Sequence, residues 1–340
     1  MNFRSRRFSS SLLSQAVRAV KPPRPKRRQA HERSSSLPQP DVCAGATAPY
    51  AKLEYLDSAP AVRPPGVVRS FFTPRKNAML TAAQIQSYDR DGYLFLPSLF
   101  TPEEVEVVRT AASEVYEKHR PEVWRGAGGE FRLAFAPHTY HPVFELFLRH
   151  PRLVEPTRDL LEGDIYCHQY KLINKEPYGK LDFPWHQDFA NWHEFDGMPE
   201  PRALNISVFL DEVNEFNGPV IFIPGAHKEG LIRAEVIKMD GVDQNGAHTL
   251  DKSELQRLAR ANGLVAPKGP AGSAVLFHPY MPHASSPNQS PWARSTIYLT
   301  SNRVDNRIQR PTRPEYVAHT DFTPLVPTHD DALRNVSQPA

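Results

Sequence analysis

The residues able to do chemistry in this 340-residue chain gather in two short stretches. The first is Phe183-Pro184-Trp185-His186-Gln187-Asp188-Phe189-Ala190-Asn191-Trp192-His193. On a strand, side chains two positions apart project to the same side, so His186 and Asp188 can grip one ion together. The second is His278-Pro279-Tyr280-Met281-Pro282-His283-Ala284-Ser285, followed by Arg294. His283 would complete two histidines and one carboxylate on one face of a metal. Three coordination positions then stay open, the arrangement of non-haem Fe(II) oxygenases. His278 is the second candidate, but it lies five residues farther from Arg294 and precedes a proline. Two histidines and an aspartate also suit Zn2+ with a bound water. Any single histidine can instead be a hydrogen-bonded core residue.

Arg294 favours the iron reading. 2-Oxoglutarate chelates iron through its keto-acid end, and its far carboxylate needs a fixed cation. The planar guanidinium fork serves by binding a carboxylate through two parallel hydrogen bonds. Ser285 can add a hydroxyl to the same carboxylate. With O2 as third reactant, this set supports attack on an unactivated C–H bond. Two rivals come from other classes. A zinc hydrolase would need a general base, with Glu194 and Glu212 the nearest acids. A non-catalytic ligand-binding barrel would have no reason to keep all three ligands and the arginine.

The elements that must position these groups follow from local pattern. Thr81-Ala82-Ala83-Gln84 and Thr101-Pro102-Glu103-Glu104 are capping boxes that start helices, the second with proline at the first helical position. The first helix stops at Gly92, and Tyr93–Leu96 reads as a strand. A third helix runs from about Arg152 to Glu162. Strands follow: Ile165–Leu172, with Cys167, Gln169 and Lys171 on one face; Leu204–Leu210; Val220–Ile223; Ala274–Phe277; and Thr296–Thr300. Residues 251–262 read as a helix within an insertion. Helices first and many short strands afterwards indicate an α+β fold built on a barrel or double-sheet jelly roll.

Composition sets the remaining bounds. The chain has 34 prolines, about twice the usual share. Residues 1–40 hold ten Lys or Arg against one acid, leaving 31 basic and 37 acidic residues beyond them. The positive excess therefore sits in a front segment with no sustained periodicity, which argues against nucleic acid as a partner. No apolar run is long enough for a membrane span. Cys43 and Cys167 alone make no disulfide framework, which suits an intracellular, cytoplasmic setting. Within the front segment Phe8, Leu12, Leu13, Ala16 and Val20 share one side of a helical wheel, opposite Arg4, Arg7 and Arg18. That stretch reads as a mitochondrial presequence, a disordered basic arm, or an upstream extension of a chain starting at Met79. The expected organisation is an extension at 1–78, an enzyme domain at 79–325 and a tail at 326–340. A small molecule is the expected partner, with a homodimer left open.

Several further motifs in the same order carry a resemblance. They are Gln169-Tyr170-Lys171, Phe183–His193 running into Asp196-Gly197-Met198-Pro199, Ala203-Leu204-Asn205-Ile206, Asn217-Gly218-Pro219, Ile223-Pro224-Gly225-Ala226-His227, and His283-Ala284-Ser285 with Arg294. From about 80 to 325 the chain resembles the phytanoyl-CoA dioxygenase superfamily, most closely its ectoine-hydroxylase-like branch. The resemblance implies a double-stranded β-helix of cupin type. It implies iron on His186, Asp188 and His283, and 2-oxoglutarate on Lys171, Ser207, Ser285 and Arg294. Succinate and CO2 would be released as a C–H bond is hydroxylated. Ectoine hydroxylases read F-x-W-H-S-D-F-E-T-W-H where this chain has Gln187, Ala190 and Asn191 for the serine, glutamate and threonine. The threonine position faces substrate in those enzymes, so Asn191 points away from ectoine itself. Gln169, Trp192, Phe277 and Arg313 stand at ectoine-contact positions, and Tyr298 stands where a phenylalanine would. An aromatic cage with an arginine suits a small zwitterion: an ectoine-like solute, an amino acid or a natural-product intermediate.

Overall fold

The computed structural model describes residues 79–126, 128–239 and 243–336, with 237–239 and 243–247 as backbone only. The expected extension at 1–78, its amphipathic stretch and Cys43 lie outside the described residues. Both capping boxes close. Thr81 and Gln84 exchange hydrogen bonds at the start of α1 (Ala82–Asp91), and Thr101 and Glu104 do so for α2 (Pro102–Tyr116). Strand β1 (Tyr93–Leu96) runs between them. A hairpin of β2 (Val123–Arg125) and β3 (Phe131–Phe135) then leads to α3 (Pro142–Leu148) and α4 (Pro151–Leu161).

The rest is mainly strand: β4 (Ile165–Lys175), β5 (Phe183–His186), then helix α5 (Asp188–Asp196), β6 (Ala203–Phe209) and β7 (Val220–Phe222). The insertion carries a hairpin, β8 (Ala234–Met239) with β9 (Asp243–Leu250), and α6 (Lys252–Asn262), capped by Asp251. β10 (Ala274–Phe277), β11 (His283–Ser285) and β12 (Arg294–Arg303) complete the set. Seven antiparallel strands form a large sheet in the order β1-β10-β6-β12-β4-β3-β2, and β5-β11-β7 form a small one.

Strand alternation decides what each face of the large sheet meets. Leu204, Ile206 and Val208 of β6, Ile297 and Leu299 of β12, and Tyr170 and Leu172 of β4 share a core with Val105, Val108, Phe144 and Leu153 from the helices. Their neighbours point the other way. Phe209, Val275 and Phe277 pack with Phe222 of the small sheet and with Met281. The result is a double-stranded β-helix with helices outside the larger sheet, and the space between the sheets holds the site.

Two local expectations are corrected. Thr300 pairs with Gln169 but Ser301 pairs with Cys167, so His168 is an extra, bulged residue. Cys167 therefore leaves the face of Gln169 and Lys171 and joins Tyr170 and Leu172 on the helix side. Asp188 is not on a strand: β5 ends at His186 and Asp188 is the first residue of α5. Beyond 325 the described residues pack against the rest of the domain. The Thr328 N–H donates to the Arg149 carbonyl at 2.8 Å, Leu333 is buried, and Arg334 Nε reaches Glu104 at 3.1 Å. No helix among the described residues is long and apolar enough to cross a membrane.

Candidate active site

His186 and His283 are direct register partners across β5 and β11, with ring centroids 4.1 Å apart. After His186 the chain passes through extended Gln187 (φ −117°, ψ 126°) and turns into α5. The turn brings Asp188 Oδ1 to 3.5 Å from His186 Nε2 and Oδ2 to 3.6 Å from His283 Nε2. Gln187 holds the turn from a buried position. Its Nε2 donates to the carbonyls of Gly230 (2.8 Å) and Tyr280 (2.7 Å), and its Oε1 accepts from the Ile232 N–H (2.9 Å).

Both imidazoles are fixed as metal ligands need to be. His186 Nδ1 lies 2.7 Å from the Pro184 carbonyl, and His283 Nδ1 lies 2.9 Å from the Met281 carbonyl. A carbonyl can only accept, so Nδ1 carries the proton and each Nε2 lone pair faces Asp188. Burial, with His186 adding to it, lowers the His283 pKa to about 4, so this ring is neutral near neutral pH. Burial opposes ionisation of Asp188, but its interactions with His283 and His186 outweigh it and hold the carboxyl below its usual range. Asn205 Nδ2 donates to Asp188 Oδ2 (2.8 Å) while its Oδ1 accepts from Thr300 Oγ1 (2.7 Å), which fixes the carboxylate plane. Donors about 2.1 Å from one octahedral ion stand roughly 3 Å apart. The three donors, all within 4.8 Å of one another, fit an ion between them after small closure.

The opposite end of the same cavity is cationic. Arg294 is 2% exposed; Nε and the two terminal nitrogens donate to the Asn217 carbonyl (3.3 Å), the Gly218 carbonyl and Thr296 Oγ1 (2.6 Å). Lys175 is 1% exposed, and its Nζ donates to Ser285 Oγ (2.8 Å) and to the Ser286 carbonyl. Every one of these acceptors is neutral, and neither cation pairs with a carboxylate among the described residues. Keeping the Arg294 guanidinium and a Lys175 ammonium buried together in that state would cost several kcal/mol, a cost that a bound dianion would offset.

The residues expected from the sequence are placed as follows. His186, Asp188, His283, Ser285, Arg294, Lys171 and Tyr298 line one cavity, with Lys171 Nζ 6.0 Å from the Tyr298 ring centroid. Ser207 lies on the same face of β6 as Asn205, in register with Tyr298, and its buried hydroxyl has no hydrogen-bond partner among the described residues. Phe277 packs edge-on against His283, with centroids 5.0 Å apart. The other expected substrate contacts are engaged elsewhere. Trp192 is buried with Phe189, Met198 and Ile308. Gln169 Nε2 donates to the Val317 carbonyl at 2.8 Å. Asn191 Oδ1 accepts from the His248 ring at 2.8 Å, and Arg313 forms a two-pronged pair with Asp196. The three aromatic residues therefore do not come together as one cage. His278 lies apart from the triad, its Nδ1 accepting from the Tyr280 N–H. Lys175 and Asn205 escaped the sequence reading as site residues. The period-two alternation that selects Lys171 on β4 leads directly to Lys175 and could have found it.

The phytanoyl-CoA dioxygenase family model matches residues 88–296. The chain belongs to this family. An L-proline trans-4-hydroxylase of Streptomyces griseoviridis is 36% identical over 268 residues, covering 76% of this chain and 99% of that protein. An ectoine dioxygenase of Bordetella parapertussis is 34% identical over 257 residues, 70% of this chain and 82% of that one. EctD from S. alaskensis, solved with 2-oxoglutarate and 5-hydroxyectoine, superposes with a TM-score of 0.64 at 32% identity, over 74% of this chain and 88% of that one. With bound Fe it gives a TM-score of 0.66 at 31% identity, over 75% and 90%. This phytanoyl-CoA dioxygenase family member is an Fe(II)- and 2-oxoglutarate-dependent hydroxylase.

One glycine supports the cationic end. Gly218 has φ +70°, and a Cβ there would stand 2.3 Å from the Ser286 carbonyl oxygen. Gly218→Ala should cost about 1 kcal/mol or more of stability. It should also raise the KM for 2-oxoglutarate several-fold, because the Gly218 and Ser286 carbonyls hold Arg294 and Lys175. Thermal melting and initial rates check both; an unchanged KM would detach this loop from co-substrate binding.

Proposed function

We propose that His186, Asp188 and His283 hold Fe(II), and that Arg294, Lys175 and Ser285 receive the far carboxylate of 2-oxoglutarate. The observation that carries this reading is one cavity with a ligand-ready triad at one end and, at the other, the buried Arg294 and Lys175 with no carboxylate partner among the described residues. When bound, iron and co-substrate supply oxygen activation and the release of succinate and CO2. The chain's own groups do the positioning. Asn205 sets the Asp188 carboxylate, the Pro184 and Met281 carbonyls set the two rings, and Lys171 beside Tyr298 extends the positive wall. Ser207 stands ready to hydrogen-bond a polar ligand.

The substrate in this reading is a small zwitterion, a cyclic amino acid or an ectoine-like solute. Support comes from the L-proline and ectoine hydroxylases at 36% and 34% identity and from the cavity's cationic wall. Arg313 pairs with Asp196 and Asn191 accepts from the His248 ring, so this reading does not rest on either side chain. The charge balance beyond residue 40 supports a small molecule rather than nucleic acid as partner. The low cysteine content supports a cytoplasmic site of action. A hydrolase is less well served: Asp188 is the only acid lining this cavity among the described residues, and Glu194 pairs with His248 at 2.8 Å. A panel of L-proline, other amino acids and ectoine, scored by coupled succinate release and product mass, tests the reading. Succinate release stimulated by none of these zwitterions would refute the substrate class.

Lys175 gives co-substrate binding a pH dependence. Burial, then the nearby Arg294 charge, lowers its pKa to about 6. The unfolded chain holds this proton to about pH 10.4. Stability of the ligand-free enzyme should therefore rise with pH between these two values. A dianion favours the ammonium form, so binding takes up a proton above pH 6. The KM for 2-oxoglutarate should climb by up to about tenfold per pH unit in that interval. Lys175→Met should flatten the profile while raising KM at low pH. A steep profile that survives in the variant would exclude Lys175 as its source.

A further inference from the structure

We propose that His138, Cys167 and His319 form a second metal site, selective for Zn2+, which clips the segment after β12 onto the large sheet. The donor atoms of these three side chains lie within 4.8 Å of one another. None of them lines the cavity between the sheets. They arrive from distant parts of the chain: His138 from the short 3-10 turn Pro137–Thr139 after β3, Cys167 from β4, and His319 from the C-terminal segment. The bulge at His168 puts Cys167 there, and the His168 carbonyl accepts from the His319 N–H at 2.9 Å.

The unpaired nitrogens are what call for a ligand. Cys167 and His319 are buried and His138 is half-buried, yet His138 Nδ1 and His319 Nε2 have no hydrogen-bond partner among the described residues. Buried polar atoms left this way are rare in folded proteins and are commonly met by water or an ion. The two rings stand nearly perpendicular, at 83° with centroids 4.9 Å apart, so their donors can converge from different directions. Burial pushes both imidazoles toward the neutral form in which they ligate and pushes the Cys167 thiol up, so an entering ion must displace the thiol proton.

The donor chemistry selects the ion. Two imidazoles and one thiolate suit a borderline-soft tetrahedral cation, whereas the two-histidine, one-carboxylate triad is harder. Zn–S near 2.3 Å and Zn–N near 2.1 Å place tetrahedral donors roughly 3.5 Å apart, a spacing these side chains reach by modest closure. Asp321, two residues past His319, acts electrostatically on all three groups, and a water would complete the tetrahedron around the ion. Occupancy would tie the segment that also supplies the Val317 carbonyl to Gln169, so the metal would act on the fold at the edge of the active site.

Cobalt is the probe, because thiolate-to-Co2+ charge transfer absorbs in the near ultraviolet and the all-N/O triad cannot produce it. The full chain, reduced and stripped with chelator, is titrated anaerobically with Co2+. The proposal expects a charge-transfer band that saturates at a single site, is bleached by stoichiometric Zn2+, persists in Cys43→Ser and vanishes in Cys167→Ser. His319→Ala gives an independent arm should Cys167→Ser not fold, with the Co2+ affinity behind the band weakened at least about tenfold. No band in the wild-type chain, or one unaltered by Cys167→Ser or His319→Ala, overturns the site.

Discussion

Asp188→Ala is expected to abolish succinate formation and strip Fe(II) from the protein while leaving the fold standing. The carboxylate is the one anionic donor between two neutral imidazoles, so its loss removes both a ligand and the charge that balances a divalent cation. Changing outer partners of a metal site already costs about 10–100-fold in affinity or activity, and deleting a ligand should exceed that range. Stability should suffer little. The carboxylate is half-buried, and its hydrogen-bond donor Asn205 keeps its contact with Thr300. Iron content after gel filtration, succinate release and thermal melting read the three parts separately. Turnover within tenfold of wild type would remove Asp188 from the metal site. Unfolding without iron loss from the remaining folded fraction would mark it as structural.

Arg294→Ala should raise the 2-oxoglutarate requirement far more than the substrate requirement. Deleting one member of a buried, hydrogen-bonded charge pair typically costs about 2–5 kcal/mol. At about 1.4 kcal/mol per decade, that corresponds to roughly 30-fold to several thousand-fold in KM for the co-substrate. The substrate KM should stay within a few-fold. Lys175 stands beside the same carboxylate position and keeps part of the attraction, so the loss should fall short of the upper limit. Arg294→Lys, which retains charge but loses the planar fork, should fall between alanine and wild type. A shift in substrate KM with co-substrate KM unmoved would assign Arg294 to the other ligand.

The parts of the site legible in the sequence are those whose chemistry is carried by residue type and order. Two histidines, an aspartate, a serine and an arginine at increasing distance define a triad and an anion pocket, and the structure brings all five to one cavity. Capping boxes were equally legible, because both halves of each reciprocal bond are written within four residues. What stayed hidden depends on backbone events that side-chain pattern does not encode. Asp188 opens a helix because Gln187 is held by three backbone groups from elsewhere in the fold. Cys167 changes face because one residue of β4 bulges. The resemblance implies a substrate wall that includes Trp192 and Arg313, but in the structure they pack with other partners: a hydrophobic cluster in one case and Asp196 in the other. Lys175 was missed for a simpler reason. It lies beyond the motif, where the strand continues two residues past Ile173.

The most direct test of the central claim uses isotopically heavy O2 with the best zwitterionic substrate, followed by mass analysis of both products. A 2-oxoglutarate-dependent hydroxylase working through this cavity places one labelled oxygen atom in succinate and one in the hydroxylated product, in equal amounts. Turnover that proceeds without O2, or succinate that emerges without the label, would contradict the account.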